Sequence, residues 1–83
     1  MNYTITFEKA AKKFIKKQSP KMQTVLLTVI SKLPNGTDIK KLQGHDLYRM
    51  RVGNVRIIYS IDNDVKIINI ENIDNRGQIY KKY

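Results

Sequence analysis

Three arginines on a predicted β-hairpin are the side chains of this chain best suited to chemistry. Residues 47–59 alternate in polarity on both sides of Gly53-Asn54, a dipeptide typical of a tight turn that needs positive φ. If the valines flanking this turn pair, Arg51 lies directly opposite Arg56, and Arg49 lies on the same face. Like charges that face each other destabilise a sheet, so the pattern indicates a polyanionic partner such as nucleic-acid phosphate.

The overall charge supports an anionic partner. The 83 residues contain 16 Lys+Arg against 7 Asp+Glu, a formal net charge of +9, which predicts attraction to RNA, DNA or an acidic protein. All four arginines lie in the C-terminal half, whereas the N-terminal half carries only lysine. Because guanidinium groups bind phosphate bidentately and lysine suits solvated faces, we interpret the arginines as a site and the lysines as long-range attraction.

The composition also excludes several kinds of site. The chain has no cysteine, which excludes disulfides and thiolate metal sites, and its single histidine, His45, excludes a multi-histidine metal site. We expect no metal and no cofactor. No segment is apolar enough to span a membrane and the N-terminus lacks a signal pattern, so we expect a cytoplasmic location and no membrane partner.

The first half of the chain predicts one strand and two helices. Residues 2–7 alternate as in a half-buried strand, and Thr6 is placed to cap a helix over residues 8–17. Ser19-Pro20 is a helix start, with serine at the N-cap and proline at the first helical position. The second helix carries an apolar stripe and is predicted to end near Leu33.

The second half predicts a small antiparallel sheet. A connecting segment over 37–46 precedes hairpin strands over 47–52 and 55–61, and a last strand covers 65–73. The order β-α-α-β-β-β predicts a single α+β domain over 1–83, a twisted, antiparallel-rich sheet with a helical hairpin on one face. The arginines would lie on the other face, while Tyr48 and Tyr59 would pair on the core side.

Three motifs follow one another in the second half of the chain. They are Lys41-Leu42-Gln43-Gly44, the hairpin sequence over 48–59, and the ending Asn75-Arg76-Gly77-Gln78-Ile79-Tyr80-Lys81. With the opening strand and lysine-rich helix pair, this order resembles the RelE/ParE superfamily of toxins from bacterial type II toxin–antitoxin modules. The ending is similar to the usual His-Arg-Arg-Asp-Val-Tyr close of that family, and the resemblance covers nearly the whole chain.

The resemblance implies a toxin and its partners. RelE-type members cut messenger RNA in the ribosomal A site, where the 2′-hydroxyl attacks the adjacent phosphate and leaves a 2′,3′-cyclic phosphate and a 5′-hydroxyl without a metal. ParE-type relatives share the fold but inhibit DNA gyrase. An antitoxin segment neutralises both, so the implied partners are a cognate antitoxin, the ribosome and mRNA. The free toxin would be a monomer, and the antitoxin complex a hetero-oligomer.

Site residues carry over from the family by position. Arg56 and Arg76 would hold the scissile phosphate and stabilise the charge of the transition state, and Tyr80 would stack on or orient the substrate. Arg49 and Arg51 stand where well-known RelE members carry lysines. The resemblance therefore implies five catalytic residues, which are Arg49, Arg51, Arg56, Arg76 and Tyr80, and three RNA-binding residues, which are Lys41, Lys81 and Lys82.

The departures from the family pattern leave the general base open. An arginine does not release its proton in a protein, so Arg49 and Arg51 would act electrostatically, with Tyr80 or ribosomal RNA assisting proton transfer. Asn75 stands where many relatives have histidine, and Gly77 where they have a second arginine. These departures favour a ParE-like gyrase inhibitor, whereas the retained arginines and tyrosine favour the ribonuclease.

Two further expectations concern the sheet surface. A basic nucleic-acid-binding module without toxicity is a third hypothesis, and it predicts strongly salt-dependent affinity for free RNA or DNA. Glu71 and Asp74 flank the end of the last predicted strand. They are placed to form salt bridges with the arginines in the free protein.

Overall fold

The computed structural model describes residues 3–42 and 46–75, which form a five-stranded sheet with two helices. The elements are β1 (Thr4–Phe7), α1 (Lys9–Lys16), α2 (Pro20–Ser31), β2 (Ile39–Lys41), β3 (Tyr48–Val52), β4 (Val55–Asp62) and β5 (Ile67–Asp74). Every predicted element is present, with ends shifted by one or two residues. Neither helix in the described part of the chain is long and apolar enough to cross a membrane.

The sheet is mixed, with strand order β1-β5-β4-β3-β2. Strands β2 to β5 form an antiparallel meander, and β1 lies parallel to β5 at the far edge. This arrangement confirms the predicted antiparallel-rich α+β fold. Because β5 lies between β1 and β4, it is an inner strand, and its isoleucines Ile68 and Ile70 are fully buried.

Strand β2 is absent from the sequence prediction, which treated 37–46 as a connection. Residues Ile39–Lys41 pair antiparallel with β3, and Ile39 lies opposite Met50. Three residues are too few to display the polarity alternation by which a strand is recognised. Its pairing satisfies backbone groups of β3, which thereby becomes an inner strand of the sheet. The observed order is therefore β-α-α-β-β-β-β.

The two helix starts differ from each other in their capping. Ser19 is the N-cap of α2 as predicted, and its hydroxyl accepts a hydrogen bond from the Met22 backbone N–H at 3.2 Å. The prediction that Thr6 caps α1 is wrong, because the N-cap is Glu8 without a side-chain bond. The Thr6 hydroxyl instead donates to Asn69 Oδ1 at 2.7 Å, which ties β1 to β5.

The hydrophobic core lies between the helices and one face of the sheet. Ala11 of α1 and Leu26 of α2 are fully buried, as is Ile57 at the centre of the sheet. The remaining buried members of the core are Ile15, Ile30, Leu33, Met50, Val55, Tyr59, Ile68, Ile70 and Ile73. Both helices therefore cover one face of the sheet, as the sequence predicts.

The β3–β4 hairpin has the predicted register. Val52 pairs with Val55 across the turn, and Gly53 has φ +61°, the left-handed region that glycine occupies without strain. Because strands alternate, this register determines which hairpin side chains enter the core and which lie on the opposite face.

Candidate nucleic-acid interface

The candidate site is the sheet face opposite the helices, where β3 and β4 run side by side. Met50 and Tyr59 of these strands belong to the core beneath the helices. Since side chains alternate along a strand, Arg49, Arg51 and Arg56 lie on the other face. We call these three residues the arginine face.

Arg51 and Arg56 are direct cross-strand neighbours, which confirms the predicted juxtaposition. The Arg51 side chain is 47% exposed. Arg56 is half-buried, and its Nη1 donates to the Asn54 carbonyl at 3.2 Å. On its other side, Arg56 lies opposite Asp74 of β5. Two guanidinium groups on adjacent strands are an arrangement that can grip one phosphate from two sides.

Arg49 lies on the same face but in a different environment. Its side chain is only 11% exposed, and its Nη1 donates to both the backbone carbonyl and the carboxylate of Asp38, at 3.0 and 2.9 Å. The guanidinium is therefore held by hydrogen bonds to a charged group and a carbonyl within the protein. Of the arginine face, Arg49 is the member least accessible to a substrate.

Asp38 is a site residue that sequence reasoning missed. Its carboxylate also lies 3.7 Å from Arg51 Nε, and its carbonyl accepts from the Arg51 backbone N–H at 3.2 Å. The hydrogen bond from Arg49 holds the pKa of the Asp38 carboxyl below its ordinary value, with the positive charges of Arg49, Arg51 and Lys40 acting in the same direction. The available signal was that Asp38 is the only acidic residue between Glu8 and Asp46.

The two acids that were expected near the arginines lie in different surroundings. The Glu71 carboxylate accepts hydrogen bonds from Ser60 Oγ at 3.1 Å and Asn69 Nδ2 at 2.7 Å, which places it in a polar network. Asp74 lies opposite Arg56, at the arginine face. Within residues 3–42 and 46–75, His, Cys, Asp and Glu form no group of three or more that could hold a metal ion.

The tyrosine pair lies in the core, as predicted. Tyr48 and Tyr59 are cross-strand neighbours whose rings stack with centroids 5.5 Å apart and planes at 18°. Burial, and to a lesser extent the neighbouring Tyr48, raises the pKa of Tyr59 to about 12. The Tyr59 hydroxyl therefore stays protonated at neutral pH and is unsuited to act as a base.

An open cavity of about 350 Å³ lies beside Arg51, between the end of α2 and the hairpin turn. It is lined by Val29, Lys32, Asn35, Gly36, Thr37, Met50, Arg51, Val52 and Gly53. Val29, Met50 and Val52 also belong to or pack against the core, so the cavity lies on the helix side of the sheet, with Arg51 among its lining residues.

The remaining predicted site residues are one lysine of β2 and four residues near the C-terminus. Lys41 of β2 is exposed, and its Nζ lies 4.0 Å from the Asp46 carboxylate, a weak surface contact. Arg76, Tyr80, Lys81 and Lys82 lie outside the described residues, as does His45.

Comparisons with solved structures identify the fold. The chain is similar to a RelBE toxin–antitoxin complex from Mycobacterium tuberculosis, with 23% identity over 92% of this chain and 100% of that chain and a TM-score of 0.76. It is 26% identical to a RelE–RelB complex from Pyrococcus horikoshii, over 94% and 99% of the two chains with a TM-score of 0.73. A RelB–RelE complex from Methanococcus jannaschii is 28% identical over 94% and 98%, with a TM-score of 0.72.

The class of protein follows from this fold. A mixed five-stranded sheet with two helices on one face is the architecture of the RelE toxins. A family model described as the ParE toxin of the type II toxin–antitoxin system parDE matches residues 2–80. The chain belongs to this family of type II toxins, within the RelE/ParE superfamily. A search of curated proteins finds no sequence match.

Proposed function

We propose that this toxin is a ribosome-dependent endoribonuclease that cleaves mRNA in the A site and so inhibits translation. The observation that carries the proposal is the Arg51–Arg56 pair, which places two arginines directly opposite each other on adjacent strands in an otherwise costly register. Two relatives above 25% identity over nearly the whole chain are RelE toxins, which supports this branch of the superfamily. A ribosomal target implies a cytoplasmic location.

The proposed chemistry depends mainly on position and charge. Arg51 and Arg56 hold the scissile phosphate while the adjacent 2′-hydroxyl attacks it in line. The O2′–P bond forms and the P–O5′ bond breaks, which gives the 2′,3′-cyclic phosphate and a 5′-hydroxyl, and Tyr80 or ribosomal RNA assists the transfer of the proton from O2′ to O5′. The phosphorane-like transition state carries more negative charge than the substrate, so fixed guanidinium groups stabilise it preferentially. Arg76 and Tyr80 are proposed to complete the phosphate grip and the base stacking. Lys41, Lys81 and Lys82 would contact the RNA backbone.

Arg49 takes a supporting part in this proposal. Its guanidinium is bound to Asp38 and largely buried, so it contributes positive potential and rigidity rather than a direct phosphate contact. A cognate antitoxin would neutralise the toxin by covering the arginine face with an acidic segment. The RelE structures named above, which are complexes with RelB, support such a partner.

The test is mapping of new 5′ ends on a reporter message in a purified translation system. We expect ends within A-site codons, none on naked RNA, and a loss of about 10²–10³-fold with Arg56→Ala. Arg56→Lys should recover little, because lysine keeps the charge but lacks the bidentate fork. Lys21→Ala is the matched control, since it removes one exposed positive charge from α2 and should cleave like the wild type.

Toxicity that survives the Arg56→Ala/Arg76→Ala double change would contradict the nuclease proposal. A second candidate function is ParE-like inhibition of DNA gyrase, which is favoured by the match to a family model of ParE toxins. An intact message with continuing translation, together with inhibited supercoiling by purified gyrase, would establish this alternative. The arginine face would then be a binding surface.

A further inference from the structure

Asp38 joins two members of the arginine face through four contacts. Its Oδ1 and its carbonyl oxygen accept from Arg49 Nη1, at 2.9 and 3.0 Å. Its Oδ2 lies 3.7 Å from Arg51 Nε, and the same carbonyl accepts from the Arg51 backbone N–H. One residue immediately before β2 thus constrains two guanidinium side chains on β3.

The contact to Arg51 leaves that side chain able to bind a phosphate. The carboxylate faces Nε, whereas a bidentate phosphate contact can be made through the two terminal Nη groups. Arg51 is also far more exposed than Arg49, at 47% against 11%. The two arginines therefore differ in role. Arg49 is held inside the protein by Asp38, whereas Arg51 is exposed and available to bind a phosphate.

The backbone at Asp38 narrows the choice of residue. Its φ of 54° lies in the left-handed region, which glycine, asparagine and aspartate occupy far more readily than other residues. Conformation alone would accept any of the three. Only aspartate and asparagine offer an Oδ1 acceptor to Arg49. Substitutions at this position can therefore remove the acceptor without adding backbone strain.

We propose that Asp38 is a positioning residue for the phosphate-binding face, where it fixes Arg49 and thereby orients Arg51 beside Arg56. This inference rests on the proposed function, since it assigns a purpose to the same arginine face. An organised guanidinium pair loses less conformational entropy on binding a phosphate than two free arginine side chains would lose. Removing the Oδ1 acceptor therefore weakens the site even though it increases the positive charge.

The first test compares Asp38→Gly with Asp38→Asn in the ribosomal cleavage assay. Glycine accepts φ 54° without strain and keeps the backbone carbonyl, but it lacks the side-chain acceptor Oδ1. We therefore expect kcat/KM to fall about tenfold, because the arginine side chains lose their orientation. Asparagine keeps the conformation and Oδ1, and it should restore cleavage to within about threefold of wild type. Asp64→Gly is the matched control, because this exposed turn residue changes the net charge equally and lies at the other end of β4.

The second test uses inorganic phosphate and needs no cleavage. Arginine side-chain N–H signals are followed by NMR during phosphate titration, below the melting temperature of every variant. We expect Asp38→Gly to bind phosphate at least about threefold more weakly than wild type, with Asp38→Asn unchanged or tighter, because charge alone would strengthen binding in both. Equal or tighter binding in Asp38→Gly would overturn the inference and indicate an inhibitory or purely structural carboxylate.

The two tests separate the inference from the proposed function. If wild type cleaves and Arg56→Ala does not, while Asp38→Gly cleaves normally, the nuclease stands and the positioning role is overturned. If wild type fails to cleave, the nuclease proposal falls, and the phosphate titration alone decides the role of Asp38.

Discussion

Arg51 and Arg56 face each other across the β3–β4 hairpin, with an aspartate on the far side of each. Asp38 lies 3.7 Å from Arg51 Nε, and Asp74 is the β5 neighbour of Arg56. From the residue before β2, across β3 and β4, to β5, the row therefore runs negative, positive, positive, negative. Like charges at cross-strand positions cost stability, and the flanking acids offset part of that cost. A phosphate bound between the arginines would further reduce this repulsion.

Replacing Arg51 with threonine separates function from stability. Threonine suits a strand and relieves the repulsion, so the free energy of unfolding should stay within about 0.5 kcal/mol of wild type or rise slightly. Cleavage should fall at least about 100-fold, because a transition-state contact is lost. Urea unfolding at low and high salt, beside the 5′-end assay, checks both expectations. A variant that lost stability and activity together would show that Arg51 has a structural role.

Replacing Arg49, unlike replacing Arg51, should lower the free energy of unfolding. Arg49→Ala removes two hydrogen bonds to Asp38 and a largely buried side chain, and we expect a loss of about 2 kcal/mol in the free energy of unfolding. Arg51→Ala is the matched control, with the same substitution on the same strand and a far more exposed side chain. Equal losses in the free energy of unfolding would contradict a structural role that belongs to Arg49 and not to Arg51.

Acid should weaken the wild type through Asp38. Because the folded pKa of this carboxyl is lowered from 3.8, its ionised form favours the folded state. The contribution is complete above the ordinary pKa and is lost as pH falls through the lower folded value. The difference in melting temperature between wild type and Asp38→Asn should therefore shrink as the pH falls below 3.8. Thermal unfolding measured at a series of acidic pH values checks this expectation. A difference that persisted below the folded pKa would refute the assignment.

Alkali should weaken the fold through Tyr59. Its pKa rises from 10.0 to about 12 in the folded protein, so the unfolded chain ionises first. The contribution of Tyr59 to the free energy of unfolding is complete below pH 10.0 and is lost as the pH rises toward about 12. Tyr59→Phe should lack this loss, whereas Tyr3→Phe should retain it, as followed by alkaline unfolding with tyrosinate absorbance. Ionisation of Tyr59 near pH 10 in the intact fold would be the contrary result.

The local features of this fold were predictable from the sequence. Ser19-Pro20 identifies the start of α2, because the capping hydroxyl and the proline act within one helical turn. Gly53-Asn54 identifies the hairpin, and its two-residue length determines the register that sets Arg51 against Arg56. The five-residue catalytic set was predicted in part from these rules and in part from the family resemblance. The catalytic role stays a prediction for all five, of which Arg76 and Tyr80 lie outside the described residues.

The non-local features depended on the tertiary structure. Strand β2, the bond from Thr6 to Asn69 and the parallel pairing of β1 with β5 each join residues far apart in sequence, where periodicity and turn chemistry carry no signal. The same holds for Asp38, which becomes a partner of Arg49 only because β2 docks against β3. Residue type and spacing therefore determined a basic hairpin and its arginine register. Long-range strand pairing decided that Arg49 is largely buried against Asp38, whereas Arg51 is exposed at the surface.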